Sequence, residues 1–190
     1  MLSIEKRLKN LHGSLIRRCY DKGTLKKNPN YNGCVVSEDF LDYEKFKDNI
    51  KNVRNYEVWE TSEGWQLDKD LFGNGKIYSI SSCCFLPKKI NITIQPGGQK
   101  KYSSLPNGVV EGKGKKNKTY TAQCYCDKPN TRYIGSFNTV REAFDAYSST
   151  KKRLIAKLTC DFFVLLDDET IDKLLEYEPA YDYGNYGVEY

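Results

Sequence analysis

Between residues 108 and 158 the spacing of apolar side chains changes from two to 3.6, and that change leaves few folds open. Three runs, GVVEG (108–112), TYTAQCYC (119–126) and TRYIGSF (131–137), are short, rich in β-branched and aromatic residues, and separated by turn formers. That is the pattern of strands. In the second run Tyr120, Ala122 and Cys124 fall on one face of a strand, and Thr121, Gln123 and Tyr125 on the other. Thr131 and Tyr133 continue the outer face on the third run. The segment TVRE (139–142) is a capping box that opens a helix through about Leu158, with Ala143, Phe144, Ala146, Tyr147 and Leu154 as its buried side. Lys151, Lys152, Arg153 and Lys157 load the end of that helix, where basic side chains complement the helix dipole. The inner face of the strands is expected to pack on this helix.

The first half is organised differently. Leu2, Ile4, Leu8, Leu11, Leu15, Ile16 and Cys19 recur at helical spacing over residues 2–20. Residues 21–33 are rich in turn formers and read as a loop. Ser37 opens a second helix, with Phe40, Leu41, Tyr43, Phe46, Ile50 and Val53 as its apolar set. Residues 55–63 show no period, and residues 65–86 read as a hairpin turning at Gly73, Asn74 and Gly75. The stretch QPGGQKKYSSLPNG (95–108) is the best linker in the chain. A last short helix is expected over 168–177. The resulting partition is 1–94, a linker at 95–104, 105–160, and a tyrosine-rich acidic segment at 161–190.

Charge is distributed unevenly. Residues 161–190 carry nine acids against Lys173, a net −8, which leaves +13 of the overall +5 on residues 1–160. A basic body suits an anionic partner, most simply nucleic acid. The acidic tail would shield that surface or bind something else. The seven cysteines are scattered without a regular CxxC pair. They read as reduced, mostly buried thiols, and no ligand spacing supports a zinc site from Cys19, Cys34 and Cys83. No run of about 18 apolar residues is present and the first twenty residues lack a signal-peptide core, so the expected setting is intracellular and soluble, with no membrane partner.

Two resemblances follow from the motifs. Gly108 and Val109, YTAQC, YIGSF and TVREAFDAY (139–147) together resemble an APETALA2/integrase-type DNA-binding domain over roughly residues 104–158. The resemblance implies a three-stranded antiparallel sheet packed on one helix, with the outer sheet face entering the major groove of double-stranded DNA. Thr121, Gln123, Tyr125, Thr131 and Tyr133 would then meet the bases, where Gln suits adenine and the usual arginines are missing. The basic turn with Lys113, Lys115, Lys116 and Lys118 would contact phosphate. In the first half RRCY, NPNYNGC, EDFLDYEKFKDNI, QLDKDLFGNG, IYS, SCCFLP and IN (residues 11–91) resemble phage-encoded HNH-type homing endonucleases, which carry such a DNA-binding module on their C-terminal side. The whole fold expected is α+β: an N-terminal helical segment with a degenerate HNH-like ββα hairpin, then the sheet and its helix, then a short acidic helix and tail.

An HNH site needs a histidine at the end of its first strand to activate water and a metal ion to stabilise the leaving phosphate. Here Asp68 is kept, Lys69 stands where the histidine would be, and the downstream asparagine position falls near Ser82. Two flanking carboxylates favour the charged form of Lys69, the wrong form for a base. Asp68 and Asp70 are the residues to hold Mg²⁺ if any do. His12, the one histidine, lies in the first helix and reads as a packing residue. The first expectation is therefore a phage protein of the host-cell cytoplasm that binds double-stranded DNA and has lost ordinary HNH cleavage. An Mg²⁺-dependent nicking endonuclease ranks second. A repurposed inhibitor that binds a host protein through the acidic segment ranks third.

Overall fold

The computed structural model describes residues 2–95, 105–112, 119–127 and 130–181, with the backbone alone for 125–127 and 130–132. The fold is α+β. The chain divides into two compact units, one of Met1–Lys88 and Phe162–Lys173, the other of Lys89–Asp161 and Leu174–Tyr190. This division differs from the sequential partition, because the start of the acidic segment belongs with the N-terminal unit.

In the first unit α1 (Ile4–Tyr20) begins at Ser3, whose hydroxyl accepts from the Lys6 amide, and buries Leu8, Leu15 and Cys19. The expected loop after it is largely helical: α2 (Lys22–Lys27) and a 3-10 turn (Pro29–Tyr31) fill residues 22–31. Asp21 explains this, since its carboxylate accepts from the Thr24 amide at 2.7 Å and starts a new helix where α1 stops. After β1 (Val35–Val36), the single helix expected from Ser37 is broken into α3 (Glu38–Leu41), α4 (Tyr43–Asn49) and a 3-10 turn (Ile50–Asn52). Asp42 breaks it: its backbone is extended and its carboxylate accepts from the Glu44 and Lys45 amides, both at 3.0 Å. The apolar set still turns inward, with Phe40, Phe46, Ile50 and Val53 all buried, although Leu41 is exposed. Residues 56–61, expected to be irregular, form α5 (Tyr56–Thr61), whose Trp59 stacks on Phe85 at 4.8 Å.

The hairpin is the largest departure. The strands β2 (Trp65–Asp68) and β4 (Cys84–Pro87) pair antiparallel, Trp65 opposite Pro87 and Asp68 opposite Cys84. The chain between them does not turn back at Gly73–Gly75. It runs out to β3 (Ile77–Tyr78), which pairs parallel with β1, Val35 opposite Ile77. Asp68 bends the chain directly after β2 by accepting from two amides ahead of it, so the ladder ends there. The helix α6 (Lys88–Ile94) then follows β4 in the chain, giving the order strand, strand, helix.

The returning segment is anchored by Asn55, whose backbone is left-handed (φ 61°), a conformation asparagine tolerates better than most residues. Its amide nitrogen donates to the Phe85 carbonyl at 3.1 Å and to the Thr170 hydroxyl at 3.3 Å, and its amide oxygen accepts from the Asp167 amide at 2.9 Å. Arg54 adds a two-pronged pair with Glu169 at 2.7 and 3.0 Å. The last helix, α8 (Asp168–Leu175), buries Thr170, Ile171 and Leu174.

In the second unit β5 (Val109–Glu111), β6 (Tyr120–Asp127) and β7 (Asn130–Phe137) form one antiparallel sheet in chain order, and α7 (Val140–Asp161) packs on it. The capping box is reciprocal: Thr139 Oγ1 accepts from the Glu142 amide at 3.2 Å, and Glu142 Oε2 accepts from the Thr139 amide at 3.1 Å. Val109, Ala122, Cys124, Ala143, Phe144 and Tyr147 make the core between sheet and helix. Gly108 is pressed against Tyr147 so closely that a Cβ there would lie 2.1 Å from the ring, and its φ of +80° also favours glycine.

Lys151 was expected on the solvated end of this helix but is 4% exposed. Its Nζ donates to the Gln95 carbonyl and the Tyr147 hydroxyl, both at 3.1 Å, and lies over the rings of Tyr147 and Tyr177. The Tyr177 hydroxyl in turn donates to the Ile94 carbonyl at 2.7 Å. Burial pushes the Lys151 ammonium below its usual pKa of 10.5. The native state therefore releases this proton at a lower pH than the unfolded chain, and its stability gains as pH rises through that window. The stability of the wild type relative to Lys151→Met is accordingly expected to rise as the pH approaches 10.5. Urea titrations of both proteins across that range check the slope.

Candidate functional site

The first unit holds the candidate catalytic positions at the end of β2. Asp68 is 3% exposed and its Oδ2 accepts from the amides of Asp70 and Leu71, each at 2.8 Å. Burial raises the Asp68 carboxyl above its usual range, against the pull of those two amides. Lys69 is 8% exposed, and its Nζ donates to Asp70 Oδ1 at 2.6 Å. The same ammonium lies 5.6 Å from the centre of the Tyr78 ring and 6.0 Å from that of Tyr31. Arg18 stands over Tyr31 as well, 5.6 Å from its centre. The Lys69 side chain thus lies among a carboxylate and two π-faces.

Ser82 is spent on the local turn. Its hydroxyl donates to the Ile77 carbonyl at 2.7 Å and accepts from the Ser79 amide at 3.1 Å. The sequence brought Asp68, Lys69, Asp70 and Ser82 forward as chemistry, and the structure gives each a bonding role in the excursion between β2 and β4. In this arrangement Asp70 Oδ1 faces an ammonium and Asp68 Oδ2 faces backbone amides. Among the described residues no three His, Cys, Asp or Glu side chains converge on a metal-sized site. Burial pushes the thiols of Cys19 and Cys83 up to about 11 and about 12. Cys34, Cys84 and Cys124 are buried too, while Cys160 is exposed. His12 packs between Tyr43 and Phe46, with Nε2 3.1 Å from the carbonyls of Phe40 and Leu41, as its place in α1 implied.

The second unit carries the candidate nucleic-acid face. Ala122 and Cys124 lie under α7, so Thr121 and Gln123 between and beside them face the other way. Tyr133 stands opposite Gln123 in the register and is 63% exposed. Tyr125 and Thr131 are also opposite each other. Lys113, Lys115, Lys116 and Lys118 lie outside the described residues. One member of the face was missed. A bulge shifts the pairing after Ala122, so Ser136 stands opposite Thr121, and its hydroxyl lies 3.4 Å from that of Thr121 and 3.2 Å from that of Tyr133. Strict alternation from Tyr133 would have turned Ser136 inward. Gly135 was the available signal, since a glycine inside a strand often marks a bulge.

The bonding at Asp68 yields a test. Asp68→Ala leaves two amides without an acceptor and is expected to cost about 1–3 kcal/mol. Asp68→Asn keeps an acceptor oxygen and is expected to cost clearly less. Chemical denaturation of the three proteins checks the order; equal losses would mean that charge, not hydrogen-bond acceptance, is what Asp68 supplies.

No family model matches the chain, and neither a curated protein nor a solved structure matches it.

Proposed function

We propose that this chain binds double-stranded DNA through the uncovered face of the β5–β6–β7 sheet and the basic connection between β5 and β6, and that it does not carry out ordinary HNH hydrolysis. The observation that carries this reading is the one-sided burial of the sheet. Its inner face is filled by α7, whereas Thr121, Gln123, Tyr133 and Ser136 form a polar row on the outside. Four lysines sit in the sequence between β5 and β6, and residues 1–160 carry a net +13. A β-sheet face of this width suits the major groove, and flanking lysines suit phosphate. The loss of cleavage is supported by the ion pair of Lys69 with Asp70 and by the bonding of Asp68 to its own turn. On this reading the protein descends from a phage HNH homing endonuclease and acts in the host-cell cytoplasm.

Phosphate contacts make affinity fall with salt, by a slope of about 0.9 per contact on logarithmic axes. Replacing Lys113, Lys115, Lys116 and Lys118 with Ala is expected to weaken duplex binding and flatten that slope by up to about 3–4. Fluorescence anisotropy over a salt series measures it, and an unchanged slope removes this connection from the interface. Supercoiled plasmid with Mg²⁺ is expected to remain uncut; nicking that Asp68→Ala abolishes would overturn this reading in favour of an active endonuclease.

One observation favours a second reading, binding of a host protein. In the returning segment Phe163, Val164 and Leu165 are 59%, 93% and 44% exposed on a 3-10 turn held by Leu166 and by the bonds of Asn55. Acids flank this turn at Asp161, Asp167 and Asp168. Val164→Asp is expected to leave stability within about 0.5 kcal/mol, since nothing in the unit packs on that side chain. It would abolish a protein contact made there, which a pull-down from nuclease-treated host lysate would show.

A further inference from the structure

The outer sheet face is unequal in what it has left to offer a base. The hydroxyls of Thr121, Ser136 and Tyr133 lie in a chain, 3.4 and 3.2 Å apart, and face one another. Val110, opposite Thr121, adds no polar atom. Gln123 is different. Its backbone amide donates to the Gly108 carbonyl at 2.8 Å, which pins the residue at the bulge opposite Tyr133. Its side-chain amide is half-exposed and has no hydrogen-bond partner among the described residues. Gln123 therefore presents the one side-chain amide of the described face, a donor beside an acceptor, on a backbone fixed from both sides. No arginine or lysine shares that face among the residues whose side chains are described.

We infer that this face selects duplex DNA with an adenine at one position, read by Gln123, rather than a guanine-rich site. The inference rests on the DNA-binding reading above. In the major groove adenine alone offers an acceptor at N7 beside a donor at N6. The Gln123 amide N–H donates to N7, and its carbonyl accepts from the N6 amino group. Guanine offers acceptors at both N7 and O6, which leaves the Gln carbonyl facing an acceptor. The hydroxyls of Thr121, Ser136 and Tyr133, set against one another, stiffen the surface beside Gln123.

The test is selection by the full chain from a duplex library with a randomised central segment, comparing wild type, Gln123→Ala and Gln123→Arg, with thermal melting to show that all three fold. The wild type is expected to enrich a site containing a required adenine. Changing that adenine to guanine in a fixed duplex should weaken binding about tenfold or more. Gln123→Ala should lose the preference at that position alone while keeping its salt-dependent affinity for other duplexes. Gln123→Arg should move the preference to guanine, because a guanidinium donates to both O6 and N7. Duplex binding whose selected site is unchanged by both substitutions overturns the inference and leaves the DNA-binding reading standing. Failure of the wild type to bind any duplex overturns both.

Discussion

One-sided burial governs the second unit. A single helix can cover only one face of a three-stranded sheet, and α7 does so by setting Ala143, Phe144 and Tyr147 against Val109, Ala122 and Cys124. Because neighbouring strand residues point to opposite faces, filling that core determines what is displayed on the other side. Gly108 permits the close approach of Tyr147, and the capping box at Thr139 and Glu142 sets where the helix begins. The polar outer row is thus a consequence of packing on the inner one.

The first unit depends on a different device, side chains that bond to backbone and redirect the chain. Asp21, Asp42 and Asp68 each accept from amides just ahead of them, and each marks a place where an element stops and another begins. Asn55 works over longer range, joining β4 to the segment that returns after α7. The same economy bears on the chemistry. A carboxylate that holds its own turn, and a lysine paired with the next residue, are parts of the scaffold between β2 and β4.

Much of this was legible from local pattern. The helix at residues 4–20, the three strands, the capping box and the packing role of His12 all follow from spacing and residue type, because each depends on neighbours within a few positions. The misreadings share a cause. The helix from Ser37 kept its apolar period through a break that only the Asp42 carboxylate makes. Residues 56–61 lack an obvious period but become helical because Tyr56 and Trp59 have Phe85 to pack on. Lys151 looked like one more cation at a helix end, and its burial depends on tyrosines contributed from its own helix and from residue 177.

The sequence by itself determined the α+β class and the alternation that divides inner from outer sheet residues, since these are properties of composition and short-range spacing. Tertiary structure alone decided that β3 leaves the hairpin to pair with β1, and that residues 162–173 return to the N-terminal unit. Those outcomes rest on hydrogen bonds and contacts between residues tens of positions apart, and the free energy of such contacts is carried by neither partner's local sequence.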